Sequence, residues 1–551
     1  SYFMGNISFS RFLAKTKKKC SFAQYSTKKS VIFVAANKIT LIYTMKLNFL
    51  QKTLLFGLLL LAFAACNKGT SNTTGWKYND AEHGGFQVTE GYEQQTPPGM
   101  VLIGGGTFTM GRVNEDTYSE WNNYPRRVTV NTFYMDQYEI ANRDWREYVY
   151  WMNLMYGPKV SDKCRPDSTV WREELAYNEP YLNYYFTHVA YDMYPVVGVS
   201  WEQATDYCVW RSDRVNEKVL RDNGVIEFPD FEAIYRDSSR FENDSTAKTK
   251  VYNTGKYLTT EYDPAAENTT SRNEFGDPRK TTMSDGLLMP NYRLPTEAEW
   301  EFAAYGLTSD EGMENYDKRR IFPWDGAQTR NASRKHRGKI MANFSRGRGD
   351  MMGVSGDLND KANITAPVNS FWPNDFGLYN MAGNVNEWVM DVYRPASSDE
   401  YSEYNPFRGN VYVAPVKDSL GVYQVDSLGR LAYDVPVSKD SLAAYNKLDV
   451  RNWKDGDAQS SVNKWLEVVD PDEATRRVYD ADHANQDRAK YLATQISNTT
   501  RVYKGGSWKD RSYWLNPSTR RYKEQAKSAN DIGFRCAMDR VGSDKGNNSK
   551  E

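Results

Sequence analysis

Short apolar blocks, separated by polar stretches, run along the chain and predict brief strands. Residues 101–103, the triple glycine after them and residues 107–111 predict a strand, a tight turn and a second strand. Residues 127–130 and 133–135 predict another short strand pair, and residues 195–199 predict a buried strand. The pattern after the triple glycine is that of a strand, so no helix N-terminus is offered to a phosphate group.

Capping signals indicate where helices begin. Ser200 precedes a run, through Trp210, that has apolar residues at helical spacing. Thr296 is followed three residues later by Glu299, which makes a capping box and predicts a helix there. A further helix is predicted near residues 143–150.

Two long segments interrupt these blocks. Residues 213–289 are rich in Asn, Asp, Ser and Thr and weakly periodic, and they predict a first insertion. Residues 392–500 predict a second. It contains two Asp-Ser-Leu-Gly copies, at 418–421 and 426–429, and the four residues between them predict a small β-ribbon. Binding often resides on long loops of a rigid scaffold, so both insertions are candidate binding segments.

The N-terminal part predicts an export signal. Residues 45–65 start with a weakly positive stretch and end in an apolar run at 54–65. That run is too short to cross a bilayer, which takes about 20 residues, but it suits the core of a signal peptide. It ends in Phe-Ala-Ala-Cys, which resembles a bacterial lipobox, so Cys66 is expected to be acylated. An ordinary cleaved signal with a chance cysteine is the alternative.

The remaining boundaries follow from this signal. Residues 1–44 resemble no exported segment and are expected to be a non-native upstream extension. Residues 66–96 read as a tether and N-terminal arm, and residues 542–551 as a polar tail. Because each buried methylene of an acyl chain contributes roughly 0.8 kcal/mol, a multiply acylated cysteine would hold the body to a membrane.

Charge and composition exclude some classes of function. With 70 basic and 71 acidic residues, the formal net charge is -1. No overall field therefore attracts nucleic acid, and the basic run at 334–337 reads as a solvated loop. The 39 Tyr and 15 Trp residues suit a loop-rich fold, because their polar tips can find partners in irregular structure.

Cysteines and histidines give no metal motif. After Cys66 the chain has three cysteines, Cys164, Cys208 and Cys536. This odd number allows one disulfide and one free thiol, and the spacing does not indicate which two would pair. The four histidines lie far apart, and no Cys/His group has zinc spacing.

Five blocks in order carry a resemblance to a known family. They are Gly-Gly-Thr-Phe-Thr-Met-Gly at 105–111, Pro-Val-Val-Gly-Val-Ser-Trp at 195–201, Arg-Leu-Pro-Thr-Glu-Ala-Glu-Trp-Glu at 293–301, Asn-Asp-Phe-Gly-Leu-Tyr-Asn-Met-Ala-Gly-Asn-Val at 374–385, and Gly-Gly-Ser-Trp with Gly-Phe-Arg within 505–535. Together they resemble the formylglycine-generating enzymes, the sulfatase-modifying factor family. The resemblance covers residues 97–541 apart from the insertions. It implies an α+β, C-type-lectin-like fold with little regular secondary structure.

The resemblance also shows what is missing. The family's enzymes carry two copper-binding cysteines just after Gly-Gly-Ser-aromatic, whereas residues 509–514 of this chain read Lys-Asp-Arg-Ser-Tyr-Trp. Cu(I) needs soft thiolate ligands, so the resemblance implies no catalytic residues and no required cofactor.

A structural calcium site is the one metal that the resemblance implies. Its ligands in this chain would be Asn384, Glu387, Asn343 and the carbonyl of Phe344, because hard oxygen ligands fit Ca²⁺. The alternative is that Asn384 and Glu387 bond to loop backbone.

A narrower resemblance concerns function. The lipobox, residues 75–80, 84–86, 386–389 and 507–511 resemble the GldJ family of gliding-motility lipoproteins of Bacteroidetes, whose near relative is the GldK family. This implies a scaffolding lipoprotein on the periplasmic side of the outer membrane. Its partners would be other proteins of gliding motility and type IX secretion. A lectin-like glycan or peptide binder and a copper oxidase are the alternatives.

Overall fold

The computed structural model describes residues 70–80, 86, 88, 92–111, 123–226, 251–259, 280–306, 320–347 without 325 and 326, 358–394, 403–434 without 405, 411, 412 and 420, and 499–542. The predictions for residues 1–44, the signal peptide and Cys66 lie outside these residues. The chain forms two compact units, residues 1–88 and 89–551. In the first unit, Thr70 and Lys77 form a β-bridge. All elements below belong to the second unit.

The strands of the second unit are short. They are β1 (Met100–Ile103), β2 (Gly106–Met110), β3 (Arg126–Val130), β4 (Phe133–Asp136), β5 (Tyr292–Arg293), β6 (Asn386–Val392), β7 (Ala414–Pro415), β8 (Tyr433–Asp434), β9 (Thr500–Lys504), β10 (Arg521–Glu524), β11 (Ile532–Gly533) and β12 (Ala537–Asp539). One sheet has the order β1-β4-β12-β5 and a second has β10-β9-β6-β11. Strands β2 and β3 form a separate antiparallel pair, as do β7 and β8.

Helices are few and mostly short. They are α1 (Asn142–Tyr156), α2 (Pro158–Ser161), α3 (Glu179–Tyr184), α4 (Trp201–Asp222), α5 (Thr254–Leu258) and α6 (Glu297–Tyr305). Single 3₁₀ turns occupy Asp162–Cys164, Ser168–Trp171, Val189–Tyr191, Met283–Asp285 and Ser512–Leu515. The mixture of small sheets, short helices and long connections is the predicted α+β fold with little regular secondary structure.

Helix α4 begins where the sequence predicts but ends later. Ser200 Oγ accepts from the backbone N–H of Gln203 at 3.2 Å, and the Gln203 side chain accepts from the Ser200 N–H at 3.0 Å. The helix continues to Asp222, so the first insertion starts after the predicted residue 213. The sequence pattern misses the second half of this helix because some of its buried positions are polar and break the apolar spacing. Asn216, for example, is buried because it donates to the carbonyl of Met289 at 3.1 Å and accepts from the Met289 N–H at 2.8 Å.

Helix α6 confirms the predicted capping box. Thr296 Oγ1 accepts from the Glu299 N–H at 3.2 Å, and Glu299 Oε2 accepts from the Thr296 N–H at 2.8 Å. Gly306 ends the helix in a left-handed conformation. Trp300, in the middle of the helix, is fully buried, which fixes α6 against the core.

Strand pairing differs from the order along the chain. Strands β1 and β2 exist as predicted, yet β1 pairs with β4 and β2 pairs with β3. The predicted strand pair at 127–130 and 133–135 is likewise split between these two partners. Short runs of apolar residues determine where the strands form, whereas packing between residues distant in sequence determines which strands pair.

The predicted strand at 195–199 is wrong, although its residues are buried. Only one bridge, Ala141 with Pro195, forms there. Gly198 has a φ of 76°, and a Cβ atom in its place would lie 2.5 Å from the carbonyl oxygen of Asp167. This left-handed residue breaks the extended run, and its N–H donates to Ala529 O at 2.9 Å instead.

The described part of the second insertion contains the predicted β-ribbon. Val422 N–H donates to Asp418 Oδ1 at 2.9 Å, and Arg430 N–H donates to Asp426 Oδ1 at 2.8 Å, so both Asp-Ser-Leu-Gly copies form similar turns. Three residues spaced eight positions apart, Val416, Gln424 and Ala432, are joined to one another by backbone hydrogen bonds. The N–H of Val416 donates to the carbonyl of Ala432, that of Ala432 to Gln424, and that of Gln424 back to Val416.

Aromatic side chains fill the core between α1 and α4. The Trp145 ring stacks on Tyr207 at a centroid distance of 5.2 Å and meets Phe534 at 5.7 Å. Of the helices in the described residues, none has the length and apolar character needed to cross a membrane.

Candidate functional site

The segment after β9 forms a tight turn on two glycines. Gly505 and Gly506 have φ values of 100° and 72°. A Cβ atom at Gly506 would lie 2.8 Å from the carbonyl oxygen of Trp514, so this approach requires glycine. The turn places Ser507 in the interior, where it is fully buried.

Asp510 is the centre of hydrogen bonding in this turn. Its carboxylate accepts from the N–H of Ser507 at 2.8 Å and from the Ser507 hydroxyl at 2.7 Å. Arg521 of β10 donates twice, at 2.7 and 2.6 Å, and Asn386 of β6 donates at 3.2 Å. Burial raises the pKa of Asp510, but the hydrogen bonds and charge of Arg521 outweigh it, so the pKa is lowered overall.

The Arg521 guanidinium is enclosed as well as paired. It lies 4.4 Å from the ring centroid of Trp514 and 5.0 Å from that of Tyr503, both favourable cation–π distances. Burial, and next the charge of Asp510, raises the pKa of neighbouring Asp531. The ion pair thus sits in a partly buried setting that strengthens it and disfavours a further negative charge.

Residues 509–514 contain no thiolate of the kind that binds copper in the family's enzymes. The carboxylate of Asp510 stands in that segment instead, paired with the guanidinium of Arg521 from the neighbouring strand β10. The Ser507 hydroxyl donates to Asp510, but an activated serine needs a basic partner, whereas the pKa of this carboxylate is lowered. The turn is therefore a structural lock built from the signature segment.

Glu387 and Arg535 form a second, fully buried ion pair. Arg535 Nε and Nη2 donate to the two carboxylate oxygens of Glu387 at 2.7 and 2.6 Å. Trp300 Nε1 adds a third hydrogen bond to Glu387 at 2.8 Å. The pair joins β6 to the segment before β12 and to α6.

The residues predicted to bind calcium are only partly brought together. Asn384 Oδ1 accepts from the N–H of Ala366 at 2.7 Å and from Asn343 Nδ2 at 3.4 Å. Asn343 and Phe344 are adjacent and buried. Both oxygens of Glu387 are engaged by cationic and indole N–H groups, so Glu387 does not fit a shared calcium site in this arrangement. Calcium binding stays a prediction for the other three residues.

No other metal centre stands out in the part of the chain that the structure describes. Within that part, no three His, Cys, Asp or Glu side chains are grouped so that they could hold a metal ion.

Glu139 is a buried carboxyl that sequence analysis missed. Its Oε2 accepts from Asn380 at 2.9 Å and from Asn384 at 2.8 Å, while its Oε1 has no hydrogen-bond partner. Burial, and next the charge of Glu387, raises the pKa of Glu139 to about 8. At neutral pH it is mainly protonated. The only local signal in the sequence was its place directly before a predicted helix.

A third buried charge network was also missed. Lys504 Nζ lies 2.8 Å from Glu301 and 3.3 Å from Glu297, and Arg520 Nε lies 2.6 Å from Glu297. Burial opposes ionisation of Glu297, but Arg520 and Lys504 lower its pKa to about 2. Burial, and next the charge of Glu297, raises the pKa of Asp391 to about 7. The two glutamates lie one turn apart on α6, a spacing visible in the sequence, but their partners are about 200 residues away.

The structure brings two of the three described cysteines together. Cys208 of α4 and Cys536 lie with their sulfur atoms 3.5 Å apart, both buried and both free thiols. Cys164 lies apart and donates to the carbonyl of Val160 at 3.5 Å. The sequence did not indicate which two cysteines could form a disulfide. The structure places Cys208 and Cys536 close enough to be that pair.

Described parts of both insertions meet α1 and α4 at a narrow cleft. Trp151 and Trp210 line one wall, with ring centroids 6.2 Å apart, and Asn253 of the first insertion lines another. Arg430 of the ribbon closes the cleft and pairs with Asp206 at 3.2 Å. The cleft has a volume of about 20 Å³, room for about one water molecule. The cleft is a packing seam between the insertions and the core.

Comparisons with known proteins support one family. The model of the sulfatase-modifying factor enzyme 1-like domain matches residues 85–428 and 443–540. Among similar proteins, the formylglycine-generating enzyme of Mus musculus is 28% identical over 309 residues, which cover 56% of this chain and 61% of the mouse protein. The chain thus spans less than two thirds of that enzyme's length.

Two further relatives carry different names. The protein named inactive C-alpha-formylglycine-generating enzyme 2 of Bos taurus is 25% identical over 54% of this chain and 73% of its own length. The chaperone protein LppX of Paenibacillus barcinonensis is 24% identical over 60% of this chain and 85% of its own length.

Proposed function

The chain belongs to the sulfatase-modifying factor enzyme 1-like domain family, and on that premise we propose that it is a non-catalytic member that serves as a scaffold. The observation that carries this proposal is the ion pair of Asp510 and Arg521. Asp510 lies in the segment, residues 509–514, where the family resemblance calls for copper-binding cysteines, and Arg521 of β10 holds it there. A carboxylate whose oxygens all accept hydrogen bonds offers neither soft ligands nor a nucleophile.

The names of the relatives support a non-catalytic role. One relative is named as an inactive enzyme and another as a chaperone protein, whereas others are named as formylglycine-generating enzymes. The family therefore includes proteins whose names do not describe an oxidase. The Asp510–Arg521 pair favours placing this chain with those proteins.

The finer proposal concerns place and partners. The protein is a lipoprotein anchored by acylated Cys66 on the periplasmic side of the outer membrane. There it works as a GldJ-type component of gliding motility and type IX secretion, with other proteins of that machinery as partners. The lipobox before Cys66 and residues 75–80 and 507–511 support this proposal by their resemblance to that family.

A deletion strain of the native host tests the role. We expect loss of type IX secretion and, in a gliding host, loss of motility, both restored by the wild-type chain. A strain complemented with Cys66→Ala should release the protein from the outer-membrane fraction and regain little secretion. Normal secretion in the deletion strain would end the proposal, and membrane retention of Cys66→Ala in high salt would refute the anchor.

A further inference from the structure

Three segments that are distant in sequence lie next to one another on the surface of the second unit. We call this surface the mixed-charge face; it consists of the residues of the segments 173–189, 334–337 and 358–372 that are not buried. Asn363 donates to the hydroxyl of Tyr181 at 2.8 Å, which joins the third segment to the first. The rings of His336 and Trp372 lie 5.4 Å apart, which joins the third segment to the second.

Large apolar side chains of this face are exposed to solvent. Leu175 is fully exposed, Tyr177 is 83% exposed and Val189 is 71% exposed. Leu358 and Trp372 are exposed on the third segment. Scattered apolar residues are common on surfaces, but several on adjoining segments indicate a surface that another molecule covers.

Backbone strain is concentrated on the same face. Six non-glycine residues of the described chain have positive φ, and three of them are asparagines, which tolerate that conformation. The other three, Leu175 at 62°, Lys361 at 63° and Phe371 at 64°, all lie on the mixed-charge face. Left-handed backbone costs about 1–2 kcal/mol at a residue with a Cβ atom. Such strain clusters at binding surfaces, and at Leu175 it presents an exposed apolar side chain.

Different segments of the face carry opposite charge. Glu173 and Glu174 are exposed on the first segment, and Arg334, Lys335 and Arg337 are exposed on the second. A two-fold axis that lies between the first and second segments brings the first segment of one molecule onto the second segment of its copy, and the reverse, because in such an interface residue i meets residue j and j meets i. In that arrangement the two copies of the face are complementary in charge.

We propose that the mixed-charge face is the interface of a symmetric dimer of this chain. The acidic first segment of one copy meets the basic second segment of the other, and the exposed apolar residues of both become buried. The charge pattern favours a second copy of this chain as the binding partner, because that copy places basic residues opposite the acidic segment and acidic residues opposite the basic segment. The dimer goes beyond the scaffold role and does not depend on it.

The test measures the mass of the full chain, purified in a mild detergent, by light scattering over a range of protein and salt concentrations. We expect a dimer that dissociates on dilution and more readily at high salt, since salt screens the charges. Leu175→Gly should weaken the dimer roughly tenfold. The same change should leave the melting temperature equal or higher, because glycine relieves the strained backbone.

Charge variants complete the test. Glu174→Lys or Arg337→Glu alone should weaken the dimer, and both changes in one chain should restore it. Val541→Gly and Asp222→Lys, at exposed positions outside the face, should leave it unchanged. If Leu175→Gly does not fold, Leu175→Asn replaces it, because asparagine tolerates the left-handed conformation.

Three results would overturn the dimer: a monomer at every concentration, a dimer indifferent to both Leu175 variants, or one that the double charge reversal fails to restore. A secretion defect in the deletion strain together with a monomer would keep the scaffold role and reject only this interface.

Discussion

Asp510 and Arg521 face each other across the turn that follows β9, joined by two hydrogen bonds of 2.7 and 2.6 Å. The side chains are 12% and 19% exposed, so the pair is largely shielded from water. Because Asp510 lies in the signature segment and Arg521 on β10, charge pairing between the turn and the neighbouring strand holds the shape of the turn.

The protein should not oxidise cysteine in a peptide of the form Cys-x-Pro-x-Arg. The reason is that residues 509–514 contain no sulfur ligand for copper. Aldehyde formation with and without copper can be followed by mass spectrometry, with an active formylglycine-generating enzyme as positive control. Copper-dependent aldehyde above the no-protein level would contradict the proposal of a non-catalytic protein.

Asp510→Ala should lower the free energy of unfolding by about 3 kcal/mol, because it leaves the Arg521 charge partly buried without its partner. Asp222→Ala is the matched control: it breaks the exposed pair with Lys218 and should cost at most about 0.5 kcal/mol. Chemical denaturation of the three proteins measures both values. Equal losses for the two variants would show that the pair is not the lock described above.

The lowered pKa of Asp510 also predicts a pH dependence. Its stabilisation is present above the unfolded-state pKa, about 3.9, and is lost as pH falls through the lower folded-state value. The difference in stability between wild type and Asp510→Asn should therefore shrink in acid. A difference that stays constant down to that range would argue against the pairing.

Glu139→Gln should change the pH dependence of stability in the opposite sense. The folded-state pKa of Glu139 is raised to about 8, so between about 4.3 and that value the folded protein binds more protons than the unfolded one. Wild-type stability therefore falls as pH rises through this window, and the variant should escape a loss of a few kcal/mol.

Thermal melts of both proteins between mildly acidic and mildly alkaline pH measure this effect. Glu147→Gln, at an exposed position of α1, is the control for removing one carboxylate. Parallel stability profiles for wild type and Glu139→Gln would show that Glu139 is ionised in the folded state.

Cys208 and Cys536 should form a disulfide when the protein folds in an oxidising glutathione buffer. Their sulfur atoms are 3.5 Å apart, and the oxidised glutathione takes up the two electrons as the S–S bond forms. Mass mapping should find this cross-link and a free thiol at Cys164. Cys208→Ala should leave Cys536 as a thiol. A cross-link to Cys164 would contradict the arrangement of α4 and β12.

Replacing residues 435–498 by a Gly/Ser linker should preserve the core and abolish partner binding. Deleting all of 392–500 should also destabilise the protein, because it removes the buried core residues Val392 and Tyr393 and the first residue of β9, Thr500. Melting temperatures and the secretion assay separate the two effects. Full secretion with the linker variant would show that residues 435–498 are not the docking segment.

Local signals in the sequence predicted local structure well. The N-cap at Ser200 and the capping box at Thr296 placed the starts of α4 and α6, because the residues that bond lie three positions apart. The strand at 195–199 failed because burial alone does not make a strand: Gly198 turns the backbone away from the ladder.

The long-range features of the site were beyond such signals. Glu301 pairs with Lys504, and Glu139 gains its raised pKa partly from Glu387, each across more than 200 residues. The family resemblance indicated that the chemistry was missing, but not that Arg521 would hold Asp510 in its place. Pairing of this kind depends on the finished fold.

Strand β12 is the last strand in the part of the chain that the structure describes, yet in its sheet it lies between β4 and β5. A chain still emerging from a ribosome or a translocation channel has β4 and β5 without the strand that joins them. The core therefore closes only after residues 537–539 have arrived, which delays folding and keeps the chain open until that point of its synthesis or export. A protein truncated before β12 would expose two strand edges and become a target for aggregation and proteolysis.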